Sequence, residues 1–190
     1  MISRIRLFTS SFSSCVAAGI IAASVATVDI IHDRRTVGEY IDDNTIELTA
    51  RNIINKDKQV RKSTHIKSVS WNGILLITGE IENEEIKQQL VNELAKIKGV
   101  RQVVDETNIL GKSKLSTRSR DAWISSKVKS KLIAKTGLDA NRVKVVTTRK
   151  SVYLMGIVTR AEAERATDTA RSVKGVERVV KVFEYTESEN

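Results

Sequence analysis

The chain has 190 residues, enough for one ordinary domain or two small ones, and its 41% hydrophobic and 29% charged residues exclude a chain that is disordered throughout. A formal net charge of +9 favours an anionic partner, either a membrane surface or a nucleic acid. The single Cys excludes an intramolecular disulfide, and one Cys with two His argues against a structural zinc site.

The N-terminus has the features of a lipoprotein export signal. Met1–Leu7 contains two Arg and no acid, an apolar and hydroxyl-rich stretch follows, and small residues directly precede Cys15. These features predict a signal peptide over 1–14, acylation of Cys15, and an anchor and tether over 15–41. Val16 follows the Cys where an Asp would retain a lipoprotein of enteric-type bacteria at the inner membrane, so Val16 indicates the outer membrane.

Two other interpretations of this segment remain open. Residues 16–28 could be the apolar core of an ordinary signal peptide, with Cys15 incidental. Residues 16–31 could instead be a membrane helix, but a spanning helix needs roughly 20 apolar residues and the apolar stretch stops at Asp29. The lipoprotein interpretation is therefore preferred.

One pattern then occurs twice, which predicts two domains over 42–110 and 120–187, joined by a linker over 111–119. Each copy opens at an Asp, which is a good N-cap and predicts that a helix begins there. Apolar residues continue at helical spacing in both copies. The opening Asp residues are Asp43 and Asp121, and the apolar residues are Ile46, Ala50, Ile53 and Ile54 in the first copy and Ile124, Val128 and Leu132 in the second.

Two β-rich runs follow in each copy. Asn72-Gly73 joins the first pair and is a strong hairpin signal, whereas Arg149-Lys150 joins the second pair and is a weaker one. A Gly occurs at the same place in each copy, at Gly79 and Gly156. The acids Glu80, Glu82, Glu84 and Glu85 could bind a cation, but they are interpreted as a solvated turn that favours the start of the next helix.

A second amphipathic helix and a final strand complete each copy. Both helices are followed by a Gly, in Lys98-Gly99-Val100 and Lys174-Gly175-Val176, which is typical of a helix end. The predicted fold class is α+β, with two tandem αββαβ units that each consist of a three-stranded mixed sheet covered by two helices. Such small units bury limited apolar area, so we expect them to pack on each other. The four helices are expected at about 43–55, 83–97, 121–135 and 160–173.

The αββαβ order and the repeated K-G-V-x-x-V pattern resemble the BON domain, and nearly the whole chain from Cys15 onward is similar to outer-membrane lipoproteins with two BON domains. The resemblance implies a lipid anchor facing the periplasm, binding of anionic phospholipid by the second domain, enrichment at division sites and support of envelope integrity. It implies no enzymatic activity. It is carried by Cys15-Val16-Ala17-Ala18, Arg35-Thr36-Val37-Gly38, the block Asp121–Val128 and Leu154–Thr159.

The residues themselves give no sign of an active site. The chain has no G-x-S-x-G, no H-E-x-x-H and no glycine-rich phosphate loop. We therefore expect a non-enzymatic protein with no cofactor, no metal and no small-molecule substrate.

The two opening helices carry opposite charge. Residues 42–55 have three acids against one base, a net charge of −2, whereas 118–135 have six bases against one acid, a net charge of +5. At about 100° per residue, Trp123 falls beside the apolar stripe and next to Lys127, a pairing suited to the interface of an anionic membrane. The predicted phospholipid-binding residues are Arg120, Trp123, Ile124, Lys127, Ser130, Lys131 and Ala134.

Other partners are also considered. Trp123 could pack against the other domain while the lysines are merely solvated. The protein could also be a periplasmic interaction module that binds an envelope, division or cell-wall partner without recognising lipid. Nucleic-acid binding suits a pI of about 9.7, but the export signal and an aromatic content of 4% argue against it.

Overall fold

The computed structural model describes residues 35–56, 58–136 and 142–187, so the signal peptide and Cys15 lie outside the described part. The predicted α+β fold of two αββαβ units is confirmed, with one additional short helix. The first unit contains α1 (Val37–Lys56), the short α2 (Lys58–Ser63), β1 (His65–Trp71), β2 (Ile74–Ile81), α3 (Glu84–Leu94) and β3 (Gln102–Ile109). The second contains α4 (Leu115–Thr136), β4 (Lys144–Thr148), β5 (Ser151–Val158), α5 (Arg160–Arg171) and β6 (Arg178–Tyr185).

Each unit has a three-stranded mixed sheet with its second strand in the centre. The first two strands form an antiparallel hairpin, and the third strand runs parallel to the second after the intervening helix. Side-chain caps fix the start of that helix in both units. Asn83 accepts the backbone N–H of Ile86 in α3, and Thr159 forms a reciprocal capping box with Glu162 in α5.

The opening helices are longer than predicted. α1 begins at Val37 and α4 at Leu115, so each contains its opening Asp rather than starting at it. The expectation that Asp43 and Asp121 are N-caps is therefore wrong. The last residues of the predicted tether and of the predicted linker are helical. At the other end, α3 stops at Leu94, before the position expected from the sequence.

The two Asp side chains stabilise the hairpin turns instead. Asp43 accepts hydrogen bonds from the backbone N–H groups of Asn72-Gly73 at 2.6 and 2.9 Å, and Asp121 accepts from those of Arg149-Lys150 at 2.9 and 3.0 Å. All four turn residues have positive φ, between 48° and 74°, as a two-residue type I′ turn requires. Arg149-Lys150 thus makes a tight turn without Gly, at a cost of about 1–2 kcal/mol per residue.

The two units pack sheet against sheet, which confirms the expected packing. Alternate residues of a strand point to opposite faces, so Leu75 and Ile77 of β2 lie in the core beneath the helices while Leu76 lies between the sheets. Tyr153 and Met155 of β5 meet Leu76 there, and all three are at most 1% exposed. The result is a helix–sheet–sheet–helix sandwich. No helix in the described ranges is both long and apolar enough to cross a bilayer.

The layer between the two sheets also buries Glu80, an acid that was predicted to lie in a solvated turn. Glu80 is fully buried and accepts hydrogen bonds from Arg149 Nε at 2.7 Å and from the Ser113 N–H at 3.3 Å. Burial alone would raise the pKa of the Glu80 carboxyl, but the bonds from Arg149 and Ser113 hold that pKa below its usual range. The solvated interpretation is wrong for Glu80 because the second unit covers its face of β2.

Candidate membrane-binding surface

The inner side of α4 is part of the second unit's core. Ile124 and Val128 are fully buried and Leu132 is 4% exposed, so the predicted apolar stripe is confirmed. Ile124 was also predicted to bind phospholipid, and that assignment is wrong because a fully buried side chain cannot contact a bilayer. Ile124 follows Trp123 directly, and one residue turns the helix by about 100°, from the outer side into the core.

The outer side of α4 exposes an aromatic side chain. Trp123 is 51% exposed, and the Nζ of Lys127, one turn further along, lies 5.6 Å from its ring centroid. That distance is within the range of a cation–π contact. The interpretation in which Trp123 packs against the other domain is therefore wrong, and its ring faces solvent together with an ammonium group.

Two serines, an alanine and an arginine lie on the same side of α4 as this pair. Ser126 and Ser130 donate their hydroxyl hydrogens to the carbonyl oxygens one turn back, of Ala122 and Ser126, at 3.1 and 3.0 Å. These hydroxyls are already bonded to the helix backbone, which lowers the cost of removing them from water. Arg120 and Ala134 are exposed, and the helical repeat places them on the same side as Trp123.

Lys131 lies at the edge of this surface. It is partly buried, and its Nζ donates to the carbonyl oxygen of Ser172 at 3.0 Å and to the Ser172 hydroxyl at 3.2 Å, just beyond the end of α5. A cation at a helix C-terminus is favourable because the last carbonyls carry partial negative charge. Lys131 therefore contacts the end of α5, and the predicted residues that lie on the outer face itself are Arg120, Trp123, Lys127, Ser130 and Ala134.

The charge of this face is wholly positive. Asp121 is the one acid of α4; it is 4% exposed and directs both carboxylate oxygens inward, to the hairpin turn. None of the ion pairs among the described residues involves the exposed bases of α4. Their charge is therefore available to an external anion. Of these bases, Arg120 and Lys127 lie on the same face as Trp123, and Lys129 and Lys135 lie to either side of it.

Two exposed apolar side chains of α4 were missed at the sequence level. Leu115 is 77% exposed and Ile133 is 54% exposed. Leu115 was missed because the helix was expected to begin at Asp121. The exposure of Ile133 could have been predicted from the helical repeat, because this repeat places Ile133 outside the buried stripe. Ile133 lies about 80° around the helix from Trp123 and about 15 Å along it. Both add apolar area to the solvent side of α4.

The first unit has no equivalent surface. When Asp43 is aligned with Asp121, Thr45 and Thr49 of α1 occupy the positions of Trp123 and Lys127. The equivalent face of α1 therefore lacks the aromatic ring and the ammonium group.

Comparison with known proteins agrees with this architecture. The family model described as the BON domain matches residues 42–111 and 120–187. The outer membrane lipoprotein DolP of Haemophilus influenzae is 35% identical over 181 residues, which span 93% of this chain and 91% of that protein. The 21 kDa hemolysin of Actinobacillus pleuropneumoniae is 32% identical over 82% of this chain and 80% of its own length. The osmotically-inducible protein Y of Escherichia coli is 28% identical over 75% and 72%, respectively. Because the two matched segments cover most of the sequence, the chain belongs to the BON-domain family and carries two copies of the domain.

Proposed function

We propose that this protein is an outer-membrane lipoprotein that faces the periplasm, binds anionic phospholipid through the outer face of α4 and supports envelope integrity at the division site. The similarity to DolP, an outer membrane lipoprotein, supports the location. In this proposal, residues 1–14 are the signal peptide, 15–41 the acylated anchor and tether, and 111–119 the linker between BON domains 42–110 and 120–187. The role requires no catalysis and no cofactor.

One observation carries the lipid-binding proposal: an exposed Trp ring stacked by a Lys on a helix face that presents bases and no acids. A Trp ring can insert at the boundary between headgroups and acyl chains, while nearby Lys and Arg side chains remain among anionic headgroups. Each such base contributes about 1 kcal/mol near an anionic surface. Together they give reversible binding that orients the second domain toward the bilayer.

The test is co-sedimentation of a soluble fragment with lipid vesicles. The fragment should begin no later than Arg35, because Arg35 pairs with Asp43 at 2.6 Å and stacks 3.7 Å from the Trp71 ring centroid. We expect binding to vesicles that contain phosphatidylglycerol, no binding to neutral phosphatidylcholine vesicles, and weakening with salt, since exposed charges are screened within about 8 Å at physiological ionic strength. Trp123→Glu should weaken binding by about tenfold or more, that is about 1.4 kcal/mol or more.

A matched control is available on the same domain. Tyr185 is 48% exposed and lies 5.1 Å from the guanidinium of Arg160, so Tyr185→Glu also removes an exposed, cation-stacked ring and adds one negative charge. That variant should bind vesicles as the parent does. The lipid assignment would fail if a folded Trp123→Glu variant bound anionic vesicles as well as the parent does. It would also fail if the parent bound neutral and anionic vesicles equally. The interpretation as a protein-interaction module would then be preferred.

The anchor is tested separately. Cys15 is expected to be the first residue of the mature protein and to carry acyl chains, each contributing about 0.8 kcal/mol per buried methylene. Cys15→Ala should therefore move the protein out of the outer-membrane fraction. Mass spectrometry of the mature N-terminus checks the modification directly. A mature chain that begins near residue 30, without Cys15, would contradict the lipoprotein proposal while leaving the vesicle experiment unaffected.

A further inference from the structure

An open cavity of about 460 Å³ lies on the first BON domain, away from the outer face of α4. Its walls come from α1, α2 and β1 and from residues that connect the two domains and begin α4. The volume is within the range of sites that hold small molecules. Lys112 and Arg118 complete a wall that the first domain begins, so residues on both sides of the domain junction line the cavity.

Bases dominate the lining of this cavity. Glu47 is the one acid among the lining residues that the structure describes, and its carboxylate already accepts from Lys144 Nζ at 2.7 Å and from the Ser70 N–H at 3.0 Å. None of the five lining bases forms an ion pair with a described carboxylate. These bases are Arg51, Arg61, Lys67, Lys112 and Arg118.

Burial makes two side chains that line this cavity harder to charge positively. Burial, and then the neighbouring Arg118, lower the pKa of His65 below its usual range, although Glu80 opposes them. Burial likewise lowers the pKa of the Lys67 ammonium, although Asp121 and Glu80 oppose it. An anion in the cavity would relieve both effects, because it favours the charged form of each group.

We propose that this cavity binds an anion that carries a phosphate group. Arg and Lys side chains from several directions suit a phosphate, which offers several acceptor oxygens and more than one negative charge. The phosphate could belong to a free phosphorylated compound or to a lipid headgroup, and both share this chemistry. Since residues on both sides of the domain junction line the cavity, the bound anion links the first domain to the start of α4. The site is distinct from the Trp123 surface and does not depend on it.

The test uses the full-length protein in an uncharged detergent, with backbone amide chemical shifts as the readout. The probes are inorganic phosphate, glycerol 3-phosphate, and dihexanoyl phosphatidylglycerol below its micelle-forming concentration. The variant Arg51→Gln/Arg61→Gln removes two exposed lining bases. Its matched control, Arg165→Gln/Lys174→Gln, removes two exposed bases of the second domain that do not line the cavity.

We expect saturable shifts in the amides of β1 with at least one probe, and a dissociation constant raised fivefold or more by Arg51→Gln/Arg61→Gln. With inorganic phosphate and glycerol 3-phosphate, the control and Trp123→Glu should bind within twofold of the parent. If the short-chain lipid binds more tightly than glycerol 3-phosphate, the natural ligand is a lipid headgroup. If the lipid fails to compete with glycerol 3-phosphate, the natural ligand is a free phosphorylated compound. Either result supports the proposal.

The titration of the His65 imidazole gives a second readout that needs no variant at the site. A saturating amount of the probe that binds most tightly should raise the pKa of His65, and His65→Gln identifies its signal among the two His of the chain. The proposal is overturned if no probe gives saturable shifts, if both double variants weaken binding equally, or if the His65 titration is the same with and without the probe that binds most tightly.

Discussion

Replacement of Asp43 by Ala is expected to lower the free energy of unfolding by about 3–5 kcal/mol, the usual cost of removing one partner from a buried ion pair. Asp43 is 2% exposed, and besides the two turn N–H groups it accepts from the Ser70 hydroxyl at 2.6 Å and from Arg35 Nη1 at 2.6 Å. The variant leaves the buried Arg35 without its carboxylate and the turn without its acceptor. Urea unfolding measures the loss.

The neighbouring Asp42 provides the control for this prediction. Asp42 is exposed, so Asp42→Ala should change stability by no more than about 0.5 kcal/mol. If the Asp43 and Asp42 variants proved equally stable, the proposed role of the buried carboxylate would be wrong. In the second domain, Lys150→Gly should partly rescue Asp121→Ala, because Gly relieves about 1 kcal/mol or more of strain at a positive φ of 65°.

The second large effect is expected at the repeated glycines of the central strands. A Cβ atom at Gly79 would lie 1.9 Å from the carbonyl oxygen of His65, and one at Gly156 would lie 2.2 Å from that of Arg142. Both contacts are to backbone, so the start of the hairpin's first strand would have to move away from the second. Gly79 also has a φ of +132°, which L residues rarely adopt. Gly79→Ala and Gly156→Ala should each cost more than about 3 kcal/mol.

Gly111 is the matched control for these two substitutions. A Cβ at Gly111 would meet nothing within 4 Å, so Gly111→Ala should stay within about 0.5 kcal/mol of the parent. Thermal unfolding of the three variants, followed by circular dichroism, makes the comparison. Equal melting temperatures for Gly79→Ala and Gly111→Ala would show that β1 can shift without penalty, which the geometry does not allow.

The repeat and its element order could be predicted because they depend on local periodicity. Alternating strands, the Asn72-Gly73 turn and the stripe of Ile124, Val128 and Leu132 are visible in the sequence, and each was found in the structure. The starts of α1 and α4 could not be placed in the same way. An Asp near a helix start is normally an N-cap. Here the groups that donate hydrogen bonds to Asp43 and Asp121 lie in a hairpin turn 28 or more residues away. The local sequence pattern carries no information about such a distant partner.

The position of Glu80 shows a second limit. Polar residues on alternate positions of a strand ordinarily mark a solvated face, and Thr78 and Glu80 follow that pattern on β2. The second sheet covers this face, so Thr78 pairs with Thr148 at 2.9 Å and Glu80 with Arg149. The sequence predicts that the domains pack, but it does not say which faces meet. The cavity around His65 was missed for the same reason, because Arg118 is distant from it in sequence.

The sheet-against-sheet arrangement also bears on how the two copies came to differ. Each sheet covers the inner face of the other. The residues that must fit together are therefore those on the inward faces of β2 and β5, where Leu76, Tyr153 and Met155 pack against each other. The outer faces of α1 and α4 take no part in this packing. Residues such as Thr45 and Trp123 can change without disturbing the joint. Two copies of the domain therefore form one packed core with two outer helix faces. The sequence of one outer face can change to bind a partner while the packing between the two sheets stays the same.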